Sequence, residues 1–299
     1  MAGVMRERFA EVMTELLGED ERLVLILADL SVGLFEKARL EHPDRCLNLG
    51  IREQLLISVA GGMALAGIRP VVHSFAPFLI ERPFEQIKLD LNHQDVGAVL
   101  VSAGASYDIA SGGRSHQAPG DIALLDTLPD WTVHVPGHPD EAEIHLREAV
   151  MGDGRVYLRL SNQSNERSYA AAHGFRVLRE GGSGTVIAIG PMADATLMAT
   201  EGLDVTVLYA ATIRPFDTAG LRASLLKQKD AAVVIVEPYL AGTSLTHITT
   251  GLPDIPHRAL GLGVGLVELR NYGTPRQHAI AHGLGTAGIR RSVASFFSL

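Results

Sequence analysis

The chain has 299 residues, 46% hydrophobic and 20% charged, a globular composition long enough for two domains that excludes a disordered chain or a coiled coil. A formal net charge of −8 argues against a nucleic-acid backbone as the main partner. The single cysteine, Cys46, rules out an intrachain disulfide and any cysteine-rich metal site and suits a reducing cytoplasm.

The opening Met-Ala-Gly-Val-Met-Arg-Glu-Arg carries charges where a signal peptide would carry its apolar core, and no apolar run reaches membrane-spanning length. The expected location is therefore cytoplasmic, with no membrane partner. Residues 4–17 predict an amphipathic helix with Val4, Phe9, Val12, Met13, Leu16 and Leu17 on one side. Leu23 to Leu27 is a continuous apolar run, the mark of a strand covered on both faces in a parallel sheet, and it ends at Ala28-Asp29-Leu30. Cys46 lies in the apolar stretch before Asn48 and reads as a packed core residue rather than a nucleophile.

Residues 48–63 then bring a short strand, ending at Gly50, against the first turn of a helix over 52–66 that carries one carboxylate, Glu53. The helix is Leu, Ile, Val and Ala almost all round, a pattern of burial inside a larger assembly. A carboxyl shielded there is placed to exchange a proton, and it also complements the helix dipole; spacing alone leaves both roles open.

Strand-like runs recur at 69–75, 97–102, 131–135 and 156–160, with helix-like stretches at 78–94, 118–128 and 139–151, an alternation that means βαβ units. Residues 161–184 break the rhythm with a polar, glycine-rich composition expected of a domain boundary. A second unit follows, with strands at 185–190, 204–209 and 232–237, helices near 193–201, 217–228 and 243–250, and a helical tail from 275. The fold class is thus α/β, two doubly wound domains without a repeating motif: residues 1–165, a linker over 166–183, and residues 184–299.

In open parallel sheets ligands sit at the carboxyl ends of strands, and three stretches here follow such ends. Glu53 is the first. Phe75-Ala76-Pro77-Phe78, with Arg82 and Phe84 beyond, clusters aromatics in a chain only 5% aromatic; flat apolar faces beside a cation can sandwich a heteroaromatic ring, and can equally be plain core. The long small-residue loop from Gly104 to Asp121 leads to His116, a residue able to transfer protons, or to an incidental surface histidine. No Gly-x-Gly-x-x-Gly follows the first strand, and there is no Walker loop or Gly-x-Ser-x-Gly elbow, so dinucleotide, P-loop and serine-hydrolase chemistries lose their usual support. Asp29, Asp90, Asp95 and the twelve scattered histidines show no metal-ligand spacing.

Taken together, Ala28-Asp29-Leu30, the run Asn48 to Gln54, Phe75 to Gln86, Ser115-His116-Gln117 with Asp121 to Leu125, and Val135 to Glu141 resemble transketolases and 1-deoxyxylulose-5-phosphate synthases. Residues 4 to about 160 are similar to their pyrimidine-binding domain, and residues 180–299 to their C-terminal domain. The resemblance implies thiamine diphosphate as cofactor, with Glu53 matching the acid that hydrogen-bonds N1′ of the aminopyrimidine. Phe75, Phe78 and Arg82 fall where the family stacks residues on that ring. His116 matches the histidine facing the reacting carbons, with Gln117 beside it. The family's N-terminal third, which carries the Gly-Asp-Gly…Asn motif for the diphosphate and Mg2+, has no counterpart in the sequence. The expectation is therefore the C-terminal subunit of a split transketolase, active with a separate diphosphate-binding subunit in an α2β2 heterotetramer.

The family holds a sugar phosphate with a histidine, two arginines and a serine. Here Arg6 supplies one arginine, whereas Gly104, Asn162 and Gly33 stand at the other places and Gly112 replaces an acid that contacts a substrate hydroxyl. Arg114 and Arg159 are expected to form a relocated anion site. Three readings follow: a transketolase-type subunit moving a two-carbon ketol unit, or a 1-deoxyxylulose-5-phosphate synthase-like relative; a 2-oxoacid dehydrogenase β subunit; and a non-catalytic structural homologue. Ser-His-Gln followed by Asp-Ile-Ala-Leu-Leu favours the first, and retention of Glu53, Phe78 and His116 disfavours the last.

Overall fold

The computed structural model describes residues 5–169 and 174–298; Val4 and residues 170–173 of the expected linker lie outside the described residues. Helix α1 (Met5–Glu19) buries Met5, Phe9, Val12, Met13, Leu16 and Leu17, the face its spacing predicts. Strand β1 (Leu23–Leu27) is buried at every position. A short α2 (Glu36–Glu41), without a sequence signal, leads to β2 (Cys46–Asn48), α3 (Glu53–Leu65) and β3 (Arg69–Phe75). Burial pushes the Cys46 thiol up to about 11, which suits a packing role.

Where one helix is expected over 78–94, the chain instead makes wide π-type turns at Pro77–Glu81 and Ile87–His93 around a three-residue α4 (Phe84–Gln86). Pro83 is the cause, since it has no N–H and its ring crowds the preceding turn. The Arg82 N–H reaches back five residues to the Pro77 carbonyl at 3.1 Å. Turns of this kind cluster at functional sites. The unit continues with β4 (Val99–Ala103), α5 (Asp121–Leu125), β5 (Trp131–His134), α6 (Pro139–Met151) and β6 (Arg155–Arg159). Pro119 and Gly120 fall inside the expected 118–128 helix and shorten it to α5.

The second unit contains β7 (Arg176–Arg179), β8 (Thr185–Ile189), α7 (Ala193–Ala199), β9 (Thr206–Ala210), β10 (Thr212–Arg214), α8 (Thr218–Leu225), β11 (Ala232–Leu240), α9 (Leu245–Gly251), β12 (Arg258–Val264), α10 (Pro275–Ala281) and α11 (Thr286–Phe297). The first sheet runs β10-β5-β6-β4-β3-β1-β2 and the second β12-β11-β8-β9-β7. Both are parallel except at one edge, where β10 and β7 pair antiparallel. Two α/β domains with parallel-rich sheets are therefore present, as the alternation predicts. The stretch 166–183 is not plain linker, because β7 within it closes the second sheet.

Strand β10 lies within the sequence of the second unit yet extends the first sheet. Arg214 at its end donates from Nε and Nη2 to both oxygens of Asp126, at 2.7 and 2.5 Å, and so clamps the two units. Buried Glu141 does the same from α6, accepting from the Gly137 N–H at 2.7 Å, the Tyr169 N–H at 2.6 Å and the Tyr209 hydroxyl. Helix α3 buries Glu53, Leu56, Ile57, Ala60 and Gly61 but leaves Leu55 and Leu65 exposed, so within this chain only one of its apolar faces is covered. Among the described residues no helix is long and apolar enough to cross a membrane.

Candidate functional site

The entry to α3 is fixed by its motif residues. Asn48, at the end of β2, accepts from the Asp29 N–H at 3.0 Å and the Gly50 N–H at 3.2 Å, and its amide donates to the Asp29 carboxylate at 2.8 Å. The ends of β1 and β2 are thereby locked together, and Asp29 takes φ +60, which a short polar side chain tolerates. Glu53 follows in the first turn of α3, its side chain 6% exposed. One carboxylate oxygen accepts from Arg82 Nη1 at 2.7 Å. The other has no hydrogen-bond partner among the described residues.

Arg82 also lies over the Phe78 ring, its guanidinium carbon 4.0 Å from the centroid. The Phe78 ring stands 5.1 Å from His116 and 6.1 Å from Phe75, and Phe75 stands 6.0 Å from His116, all edge-on. His116 comes from the loop after β4, where the Gly104 backbone packs directly on Ile109 and Phe75. Ser115 Oγ lies 3.0 Å from His116 Nδ1, which leaves Nε2 without a partner among the described residues. The structure thus gathers Glu53, Phe75, Phe78, Arg82 and His116 at the carboxyl ends of β2, β3 and β4, although they are spread over more than sixty positions. Gln117 is nearly buried beside them, and its carbonyl accepts from Arg114 Nη1 at 3.0 Å.

The expected anion ligands do not join this group in the same way. Arg159 is withdrawn: it is 1% exposed, and it donates from Nε to Asp121 at 2.7 Å and from Nη2 to Ser106 Oγ at 2.7 Å. Further contacts run to the carbonyls of Ala118 and Pro238. Every guanidinium nitrogen is engaged inside the protein, so the substrate role expected for Arg159 is corrected to a structural one. Arg6 lies near His73, and among the described residues no hydrogen bond links it to Glu53 or His116. Arg114 is half exposed and pairs loosely with Glu268 at 3.4 Å. Asn162 uses its N–H on Asp108 at 2.7 Å.

Asp108 is a residue the sequence reading passed over. It is buried, accepts from Ser161, the Asn162 N–H and Gln163, and burial holds its carboxyl above the ordinary range despite those donors. Its signal was available, as the only acid between Gly104 and Gly120. Tyr272 and Glu268 of the second unit also reach the His116 loop, from a segment whose sequence has no periodicity to mark it. Among the described residues no group of three or more His, Cys, Asp or Glu side chains is arranged to hold a metal ion.

Residues 3–167 match the family described as "Transketolase, pyrimidine binding domain". The chain is 52% identical over 290 residues to the "Uncharacterized 33.6 kDa protein in fasciation locus" of Rhodococcoides fascians, covering 96% of this chain and 93% of that protein. It is 33% identical over 249 residues to a protein of Actinobacillus succinogenes named as a subunit of an apulose-4-phosphate transketolase, covering 79% and 77%. A solved structure described as "Split gene transketolase, inactive beta4 tetramer" superposes with a TM-score of 0.86 at 28% identity, covering 99% of each chain. The chain belongs to the transketolase family. Its two domains are those of the pyrimidine-binding and C-terminal regions, and it resembles subunits of split transketolases over nearly its whole length.

Proposed function

We propose that this chain is the pyrimidine-binding subunit of a two-component, thiamine diphosphate-dependent transketolase that moves a two-carbon ketol unit from a ketose to an aldehyde or aldose. The observation that carries the reading is Glu53: a nearly buried carboxylate at a helix start, with one oxygen held by Arg82, the other unpartnered among the described residues, and phenyl rings beside that arginine. That donor set fits an aminopyrimidine, since the free oxygen can meet a ring nitrogen while Phe75 and Phe78 flank the ring and exclude water. Bound there, thiamine diphosphate supplies the nucleophile and electron sink that ketol transfer requires. Glu53 holds and moves the proton at N1′. His116 presents Nε2 toward substrate hydroxyls, with Gln117 beside it.

The diphosphate and Mg2+ are assigned to a separate subunit, in an α2β2 assembly. Support comes from a relative named as a subunit and from a relative's structure described as an inactive β4 tetramer. The open apolar face of α3, with Leu55 and Leu65 exposed, suits self-association beside that partner.

The test is Glu53→Gln in the reconstituted two-subunit enzyme. The amide keeps the shape of the acid but cannot exchange its proton, so turnover should drop by ~10² to 10⁴ with assembly intact. Proton–deuterium exchange at C2 of the bound cofactor reads the step directly. An unchanged exchange rate would leave Glu53 as a partner of the helix dipole only.

A further inference from the structure

The loop that carries His116 is braced from outside its own domain. Gly112 and Gly113 stand between two rings. A Cβ added at Gly112 would lie 2.8 Å from His116 Cγ, and one added at Gly113 would lie 2.5 Å from Tyr272 Cε1. Both rings therefore rest directly on glycine backbone. Gly113 has φ +73 and ψ −170, a conformation open only to glycine, and within the loop its N–H donates to the Ala110 carbonyl while its carbonyl accepts from the His116 N–H, both at 3.0 Å. From outside the loop it is met by Tyr272, from the segment between β12 and α10.

The same segment grips the loop elsewhere. The Glu268 carboxylate lies 3.4 Å from Arg114 Nε, and Arg114 Nη1 donates to the Gln117 carbonyl, one residue past His116. The Tyr272 carbonyl accepts from His278 Nε2 at 2.8 Å, and the His278 ring stacks on Tyr107, at the start of the loop, with centroids 5.8 Å apart. His278 sits on α10, which is closed by a reciprocal capping box between Thr274 and Gln277. The backstop is thus anchored to regular structure although Tyr272 as a residue is 63% exposed. An unbroken line of contacts runs from Glu53 through Arg82, Phe78, His116 and the glycine pair to Tyr272.

We propose that Tyr272 is a positioning residue for His116: the ring from the C-terminal domain sets how far the His116 loop stands from Phe78, and so where Nε2 points. Its consequence for turnover rests on the role given to His116 above. The ring does the work and the hydroxyl does not, so size and flatness at position 272 matter and polarity does not.

Two readouts separate this proposal from the reading beneath it. The first is the imidazole Hε1 resonance of His116 in the intact chain, assigned with His116→Gln. The second is steady-state kinetics of the two-subunit enzyme. Tyr272→Ala should move or broaden the His116 resonance and lower kcat about tenfold or more with a smaller change in KM. Tyr272→Phe should restore both to within about twofold. Gly112→Ala, which pushes on His116 from the loop side and leaves Tyr272 alone, should move the same resonance. A His116 resonance unchanged in Tyr272→Ala overturns the proposal. A resonance that moves while turnover stays at the wild-type level upholds the positioning and removes His116 from the catalytic machinery.

Discussion

Arg159 gives the sharpest test of where this chain keeps its charges. Its guanidinium bonds Asp121, Ser106 and the carbonyls of Ala118 and Pro238, and Asp121 itself is fully buried. Arg159→Met keeps much of the side-chain volume but leaves the Asp121 carboxylate in the interior without its counter-ion. Breaking a buried pair from one side costs roughly 3 to 5 kcal/mol. Asp121 retains the Tyr157 hydroxyl at 2.7 Å and the Ile122 N–H at 2.9 Å, so the lower end of that range is expected. Denaturant unfolding of the full chain, followed by far-UV circular dichroism, should report a loss of about 3 kcal/mol. Adding Asp121→Asn should return a large part of it, because the stranded charge is then gone. If the single substitution cost under about 1 kcal/mol and raised KM for a phosphorylated substrate in the two-subunit enzyme, the guanidinium would be a mobile anion ligand and the structural assignment would be wrong.

Two further outcomes are expected. His73 is fully buried among Phe9, Phe35, Ser31 and the Val101 carbonyl, and burial, with Arg6 adding to it, pushes its pKa down from 6.5 to about 4. The unfolded ring takes up its proton first as pH drops, so the His73 contribution is fully present above 6.5 and should shrink by about 2 kcal/mol between pH 7 and pH 5. Glu237, pushed up to about 7 by burial, works in the opposite sense over the same range and masks the effect in the wild type. Denaturant midpoints of wild type and His73→Gln at the two pH values expose it, and a difference between them that does not vary with pH would refute the argument. On substrate, charge-assisted hydrogen bonds are worth about 1.5 to 3 kcal/mol each, so glycine at 33 and 104 and the withdrawal of Arg159 should weaken recognition of a terminal phosphate more than tenfold. Unphosphorylated aldehydes and aldoses should match or exceed ribose 5-phosphate in kcat/KM, whereas a strong preference for ribose 5-phosphate that disappears in Arg114→Gln would show that the anion site had moved to the loop.

What the sequence made legible is what local pattern determines. Strands buried on both faces read as continuous apolar runs, and β1 falls where such a run lies. The turn from Asn48 to Glu53 is legible for the same reason: its hydrogen bonds close within a few residues or to the neighbouring strand end. The illegible parts depend on partners far away. Strand β10 pairs with β5 across some eighty positions, and β12 interrupts its apolar run with two glycines.

The two arginines at strand-end loops show how far this goes. Arg82 and Arg159 are indistinguishable by residue type, both lie near carboxyl ends of parallel strands, and both pair with an acid. Both acids are buried, so the outcome is decided by what else encloses the arginine. Asp121 is covered by Tyr157, and Arg159 lies under the second unit's Pro238 carbonyl, which leaves the arginine enclosed at 1% exposure. Glu53 is buried too, but its arginine rests on Phe78 with 46% of the side chain open to water, and among the described residues only one carboxylate oxygen is engaged. On the proposed reading an arriving ring nitrogen meets the Glu53 oxygen left without a partner among the described residues while Arg82 keeps the other, whereas Arg159 cannot leave Asp121 without stranding a buried charge. Enclosure of the arginine itself, which no local spacing reports, is what separates one that can answer a ligand from one that holds the loop beneath it.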